Sequence, residues 1–165
     1  MKKKLAATIV AVAALGMLAF VLIYTRPVKI ERRYPEIDLS QCTQIMGDYR
    51  INGVSDEFTE FVFYPQDPQF QEMVELFRAP GFRTRLKNLL PRGTKIHAHH
   101  EGDFQWAMSF RFENVPSGDG VISGDLLSAD DFYGDLELSF NGKQVNCSVA
   151  GQEQWRESVL AVIMQ

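Results

Sequence analysis

Twenty consecutive residues, Leu5 to Tyr24 (LAATIVAVAALGMLAFVLIY), carry no charge, and their only hydroxyls are Thr8 and Tyr24. As a helix rising ~1.5 Å per residue, such a run spans about 30 Å, the thickness of a bilayer's hydrocarbon core. Lys2, Lys3 and Lys4 stand before it, as in the basic leader of a secretory signal. A cleaved signal peptide would have an apolar region of ~7–15 residues ending at small residues spaced like A-x-A. Here the small pairs are Ala11/Ala13 and Ala14/Gly16, and cutting after either leaves MLAFVLIY exposed at the new N-terminus. The expectation is therefore an uncleaved signal anchor over residues 1–24, a single-pass transmembrane helix. Cys42 lies far downstream of the run, so lipid attachment is not expected.

The flanking charges are nearly balanced. Three lysines precede the run, while Arg26, Lys29, Arg32 and Arg33 follow it. Positive charge retained on the cytoplasmic side gives little asymmetry here. The short lysine leader before a signal-like segment favours the N-terminus inside and the C-terminal domain outside, an extracytoplasmic placement.

The net charge of −4 conceals a division. Residues 1–33 hold seven Lys or Arg against one acid, for +6, and residues 34–165 hold ten against twenty, for −10. An acidic domain repels phosphate polymers, so no nucleic-acid partner is expected. Residues 25–42, basic at first and bracketed by Pro27 and Pro35, read as a stalk beside the headgroups.

Residues 43–165 have the pattern of one soluble domain. Gln44 to Asn52 and Phe58 to Tyr64 are strand-like. A helix follows: Asp67 can cap it, Pro68 suits its first position, and Phe70, Met73, Val74 and Phe77 recur at i, i+3, i+4 and i+7. Pro80-Gly81 ends it, and Phe82 to Leu90 suggests a second short helix. From Thr94 the period becomes two, with Trp106, Met108, Phe110 and Phe112 on one face. A further strand is expected around Val121 to Leu127. In LELSFNGKQVNCSV, Asn141-Gly142 is the preferred pair for a two-residue type I′ turn. That turn pairs Phe140 with Lys143, Leu138 with Val145 and Leu136 with Cys147. Gln152 to Met164 closes the chain as a helix with Trp155, Val159, Val162 and Ile163 along one side. The order predicts an α+β fold: an N-terminal transmembrane helix, then a mostly antiparallel sheet with helices on one face.

The strand FVFYP and the capped helix DPQFQEMVELF, behind a basic signal anchor, resemble small uncharacterised membrane-anchored extracytoplasmic domains of Gram-positive bacteria. The resemblance is one of element order and carries no diagnostic motif. It implies an extracytoplasmic location and nothing about catalysis.

Several constellations could carry chemistry. His97 and His99 share a strand face and could ligate zinc or copper. A three-residue turn at Glu101-Gly102-Asp103 would pair Ala98 with Trp106 and Ile96 with Met108, leaving both histidines on the wet face, short of a third and fourth ligand. Asp119, Asp125, Asp130, Asp131 and Asp135 are carboxylates among glycines, but they lack the register of a calcium loop and are explained by turn chemistry. There is no GxSxG, HExxH or CxxC. Neither a cofactor nor an enzymatic activity is expected. Cys42 and Cys147 could close a loop of about a hundred residues as a disulfide, or be two separate buried thiols.

One stretch stands against the domain's acidity. Arg78, Arg83, Arg85, Lys87, Arg92 and Lys95 fall between Leu76 and His100 with no acid among them. They are either a solvated face or a surface for an anionic ligand: lipid headgroups, wall polymer or an acidic protein. The expected function is a non-catalytic binding or interaction role at the cell envelope. The alternatives are a structural subunit of a membrane complex and, behind it, a metal-dependent hydrolase.

Overall fold

The computed structural model describes residues 2–51, 53–54, 56–89, 104–112, 125–132, 135–140 and 143–165. The chain is α+β. Helix α1 (Lys2–Tyr24) leads into β1 (Pro27–Val28), the short α2 (Ile30–Arg33) and a 3₁₀ turn at Leu39–Gln41. Then come β2 (Cys42–Ile51), β3 (Thr59–Phe63), α3 (Pro68–Arg78), β4 (Phe82–Thr84) and a second 3₁₀ helix at Leu86–Leu89. The strands β5 (Phe104–Phe112), β6 (Asp125–Phe132), β7 (Asp135–Phe140) and β8 (Lys143–Val149) precede α4 (Gln152–Ile163). Among the described residues these eight strands form one antiparallel sheet in the order β1-β4-β8-β7-β6-β5-β2-β3.

Where the sequence signal is local, the structure follows it. β7 and β8 pair Phe140 with Lys143, Leu138 with Val145 and Leu136 with Cys147, as a two-residue turn requires; Asn141 and Gly142 themselves lie outside the described residues. In α3 the N-cap is Asp67, Pro68 opens the helix, and Phe70, Met73, Val74 and Phe77 are buried. The Asp67 carboxylate accepts from the Tyr64 N–H at 2.8 Å instead of bonding into the helix. In α4 Trp155, Val159, Val162 and Ile163 face inward.

Other expectations need correction. Residues 25–42 are no stalk, because β1 pairs with β4 and Ile30, Tyr34, Ile37 and Leu39 are buried in the core. Of the helix expected over Phe82 to Leu90, the described residues, 82–89, do not form one helix. The first three alternate buried, exposed, buried as a strand against β8, and only Leu86–Leu89 coils. Of the strand expected near Val121 to Leu127, residues 121–124 lie outside the described residues; the described strand, from Asp125, runs on to Phe132 and takes in Asp130 and Asp131. The residues expected to pair with β5 as a hairpin, 94–100, lie outside the described residues; β5 has β2 on one side and β6 on the other.

The inward sheet face carries Phe82, Trp106, Phe110, Leu138 and Phe140, all buried. α3 and α4 cover it: the Phe77 ring lies 4.8 Å from Phe110 and 5.2 Å from Trp155, centroid to centroid. α2 packs there too, with Arg33 donating to Thr84 Oγ1 and to the Phe82 carbonyl. Gly47 lets β2 and β5 close up. A Cβ there would run into the Ala107 carbonyl oxygen, and would sit 2.8 Å from Met108 Cα and 2.9 Å from the Phe61 ring. Gly81 does the same at the other edge, where a Cβ would stand 2.7 Å from the Pro27 ring.

α1 stands apart from this packing. Ile9, Val10, Val12, Leu15, Met17, Leu18, Phe20, Leu22 and Ile23 are all more than half exposed. Those positions run round the whole helix, so it has no polar side to turn to water. Among the described residues, whose side chains begin at Thr8, no helix is long and apolar enough to cross a membrane.

Candidate functional site

Antiparallel pairing brings together acids that are far apart in sequence. On the sheet face opposite α3 and α4, Glu60 of β3 pairs with Asp48 of β2, which pairs with Ala107 of β5. Ala107 pairs with Asp130 of β6, and Asp130 with Glu137 of β7. Four carboxylates thus lie in one row across five strands. Ala107 at its middle is short, which leaves an open groove of about 350 Å³ there. Met46 and Val62 line it together with Asp48, Glu60 and Asp130.

The electrostatics of the row follow from burial and like charge. Asp130 is half-buried, and its carboxyl is pushed up to about 6 by loss of water, then by Glu137 and Asp48. Asp48 is raised as well, first by burial and then by Glu60. A row of this kind attracts a cation and strengthens as pH rises through the range where Asp130 ionises. It gathers carboxylates, with Ser109 beside them, along one open groove. Among the described residues no three His, Cys, Asp or Glu converge on a metal position.

A stability prediction follows from Asp130. Its folded-state value lies above the ordinary 3.8, so the protonated form is the favoured one in the fold. That contribution is fully present below about pH 4 and is lost as pH rises through about 6. Asp130→Asn should therefore leave stability unchanged at pH 4 and raise it at pH 7.5 by about 1 kcal/mol, once solvent screening is allowed for. Urea unfolding at the two pH values measures this. An equal effect at both would mean that ionisation of Asp130 is not the cause.

The sites expected from sequence are distributed as follows. Arg78 is held by acids, at 2.6 Å from Glu75 and 3.5 Å from Glu31. Arg83 is exposed on β4, and Arg85 follows it, reaching Gln152 at 3.4 Å. Lys87 lies in the 3₁₀ helix Leu86–Leu89. Arg92, Lys95, His97 and His99 lie outside the described residues, as does Asp119. Asp130 and Asp131, adjacent on β6, are on opposite faces: Asp130 joins the carboxylate row, while Asp131 is fully buried against Arg156.

Cys42 and Cys147 are free and buried, so the possible disulfide is not made. β5, β6 and β7 lie between their strands. At about 4.8 Å per strand step, that is well beyond the ~7 Å Cα separation a disulfide can span. Burial pushes both thiols up to about 11, which keeps them unreactive.

The carboxylate row escapes a reading of the sequence because each of its members sits in a different segment. A local trace exists in Asp48 and Glu60, polar residues at outward positions of strands with apolar inward ones. Their alignment with Asp130 depends on β2 and β6 flanking β5, which no local pattern specifies. The chain matches no family model, no curated protein and no solved structure.

Proposed function

We propose that the chain is a single-pass, membrane-anchored extracytoplasmic domain with a non-catalytic binding role at the cell envelope. The observation that supports this reading is α1. It is apolar and exposed around its whole circumference, and only Thr25 and Arg26 separate it from a strand of the sheet. In water such a helix would expose a large apolar surface with nothing to cover it. The span is completed by Leu5 to Ala7, which lie in the same helix and extend the uncharged run to the ~20 residues a bilayer needs. The sheet face bearing Glu60, Asp48, Asp130 and Glu137 is turned away from the helices, which leaves it to a cationic or extended ligand.

The test is topological. In a bacterial host the chain should stay with membranes through alkaline carbonate extraction, and deletion of residues 1–24 should release it. Alkaline phosphatase fused after Gln165 should be active, because that enzyme works only when exported. A fluorescent fusion active in the cytoplasm, with no labelling of the domain from outside, would overturn the orientation. Extraction of the intact chain by carbonate would overturn the anchor.

A further inference from the structure

The direction in which β4 runs has a consequence for the membrane. α1 ends at Tyr24, and Thr25 stays bound to it by N–H and Oγ1 donation to the Val21 carbonyl. Pro27 follows two residues later, within roughly 10 Å of Tyr24 even for a fully extended chain. β1 leaves α1 in the order Pro27, Val28. β4 is antiparallel to it, pairing Phe82 with Val28 and then Arg83 with Pro27. Continued by one step, that register sets Thr84 level with Arg26. β4 therefore travels back toward the end of α1, and Arg85 and the 3₁₀ helix Leu86–Leu89 come after it on that side.

This short helix is fastened to the sheet and leaves two leucines exposed. In a 3₁₀ helix residues i and i+3 eclipse, so Leu86 and Leu89 lie one above the other. They are 46% and 50% exposed. Asn88 fastens the opposite side. Its Nδ2 donates to the Asn146 carbonyl at 2.8 Å and to the Arg85 carbonyl at 2.9 Å, and its Oδ1 accepts from the Asn146 backbone N–H at 3.1 Å. The Arg85 N–H donates to the Asn146 carbonyl, which extends the β4–β8 ladder to the start of the helix. Arg83, three residues before Leu86, is exposed, and Arg26 and Lys29 are exposed on the segment that leaves α1.

We infer that Leu86–Leu89 is a second membrane contact, with Leu86 and Leu89 entering the headgroup–acyl boundary of an anionic bilayer and Arg83 lying at the lipid phosphates. The inference rests on the anchor reading above. Two stacked leucines with an exposed arginine three residues before them match the chemistry of an interfacial element, apolar toward the acyl chains and basic toward the phosphates. The pairing of β1 with β4 fixes that element close to where α1 leaves the bilayer, so the domain is tethered at two points. One edge of the sheet is thereby seated on the membrane, while the β2–β3 turn points away from it.

Full-length chain in nanodiscs, with a nitroxide attached at Leu89→Cys or at Val54→Cys, tests this. Val54 is 77% exposed in the β2–β3 turn at the opposite end of the sheet. The native thiols are buried and stay unlabelled under folding conditions. In discs containing anionic lipid, a water-borne nickel relaxant should reach the label at 89 several-fold less than the label at 54. In purely zwitterionic discs, or with Arg83→Gln, that protection should shrink. Equal accessibility at 89 and 54 in anionic discs overturns the contact, and protection that ignores both lipid charge and Arg83 overturns the phosphate role. Failure of the anchor itself looks different, because the chain would then not co-purify with the discs.

Discussion

Arg156→Ala is expected to destabilise the domain by about 3–5 kcal/mol, the range for breaking a buried ion pair by removing one partner. Asp131 is fully buried on the inward face of β6, and Arg156 of α4 meets it with Nε 2.5 Å from Oδ2. The same guanidinium donates from Nη2 to the Phe104 carbonyl at 3.1 Å and lies over the Phe104 ring at 4.8 Å. Truncation would leave a carboxylate in the core with its countercharge gone. Such a group relieves itself by taking up a proton, since burial raises a carboxyl's pKa. The deficit relative to the parent should accordingly narrow as pH is lowered toward 4 and be largest at neutral pH. The double variant Asp131→Leu with Arg156→Met should recover most of the loss, because well-packed apolar groups of similar volume replace a buried pair at little or no cost. Urea unfolding of the detergent-solubilised chain measures all three. If the single variant loses less than about 1 kcal/mol, α4 is held by its apolar stripe alone and the pair adds little.

The part of this fold that was legible in the sequence is the part encoded within about fifteen residues. Asn141-Gly142 between two alternating strands fixes the β7–β8 register to the residue, because a two-residue turn leaves no freedom in which side chains face each other. The i, i+3, i+4, i+7 stripe from Phe70 to Phe77 places α3, and Trp155 to Ile163 places α4. Pairings that join distant segments were not legible. β5 has the alternation of a strand, but its partners are chosen by shape and burial across the whole sheet. Those partners are β2 and β6, one far before it in sequence and one after it. The carboxylate row inherits that non-locality, since it exists only after the register of five strands is set. The 25–42 segment is a different kind of miss. Ile30, Tyr34 and Ile37 are buried, yet α2 is a single turn ending at Arg33, too short to show a period among the surrounding Arg, Glu and Pro residues. The segment's pairing sets Pro27 opposite Arg83 at the edge of the sheet.

Phe77→Ala should cost about 3–5 kcal/mol, as for large-to-small changes of a buried aromatic, and should lower the unfolding midpoint without changing the denaturant slope. Phe77 is fully buried on α3, and its ring meets four others drawn from three separate parts of the chain. Phe110 is 4.8 Å away, Trp155 5.2 Å, Trp106 6.1 Å and Phe82 6.2 Å, centroid to centroid. Most of these contacts are edge-to-face, the arrangement that aromatic quadrupoles favour. Removing the ring opens a space at the place where α3, α4 and the sheet converge. Trp155 is held by donation of its Nε1 to the Leu76 carbonyl at 2.8 Å, which restrains it from collapsing into the gap. A cavity that cannot relax costs more than the transfer of the lost atoms alone. Val62→Ala on the open face, where Val62 is 43% exposed, should by contrast stay within ~0.5 kcal/mol of the parent. A Phe77→Ala variant as stable as Val62→Ala would mean that the aromatic cluster is not what holds the helices to the sheet. In that event the strands, with the Arg156–Asp131 pair, must carry the domain.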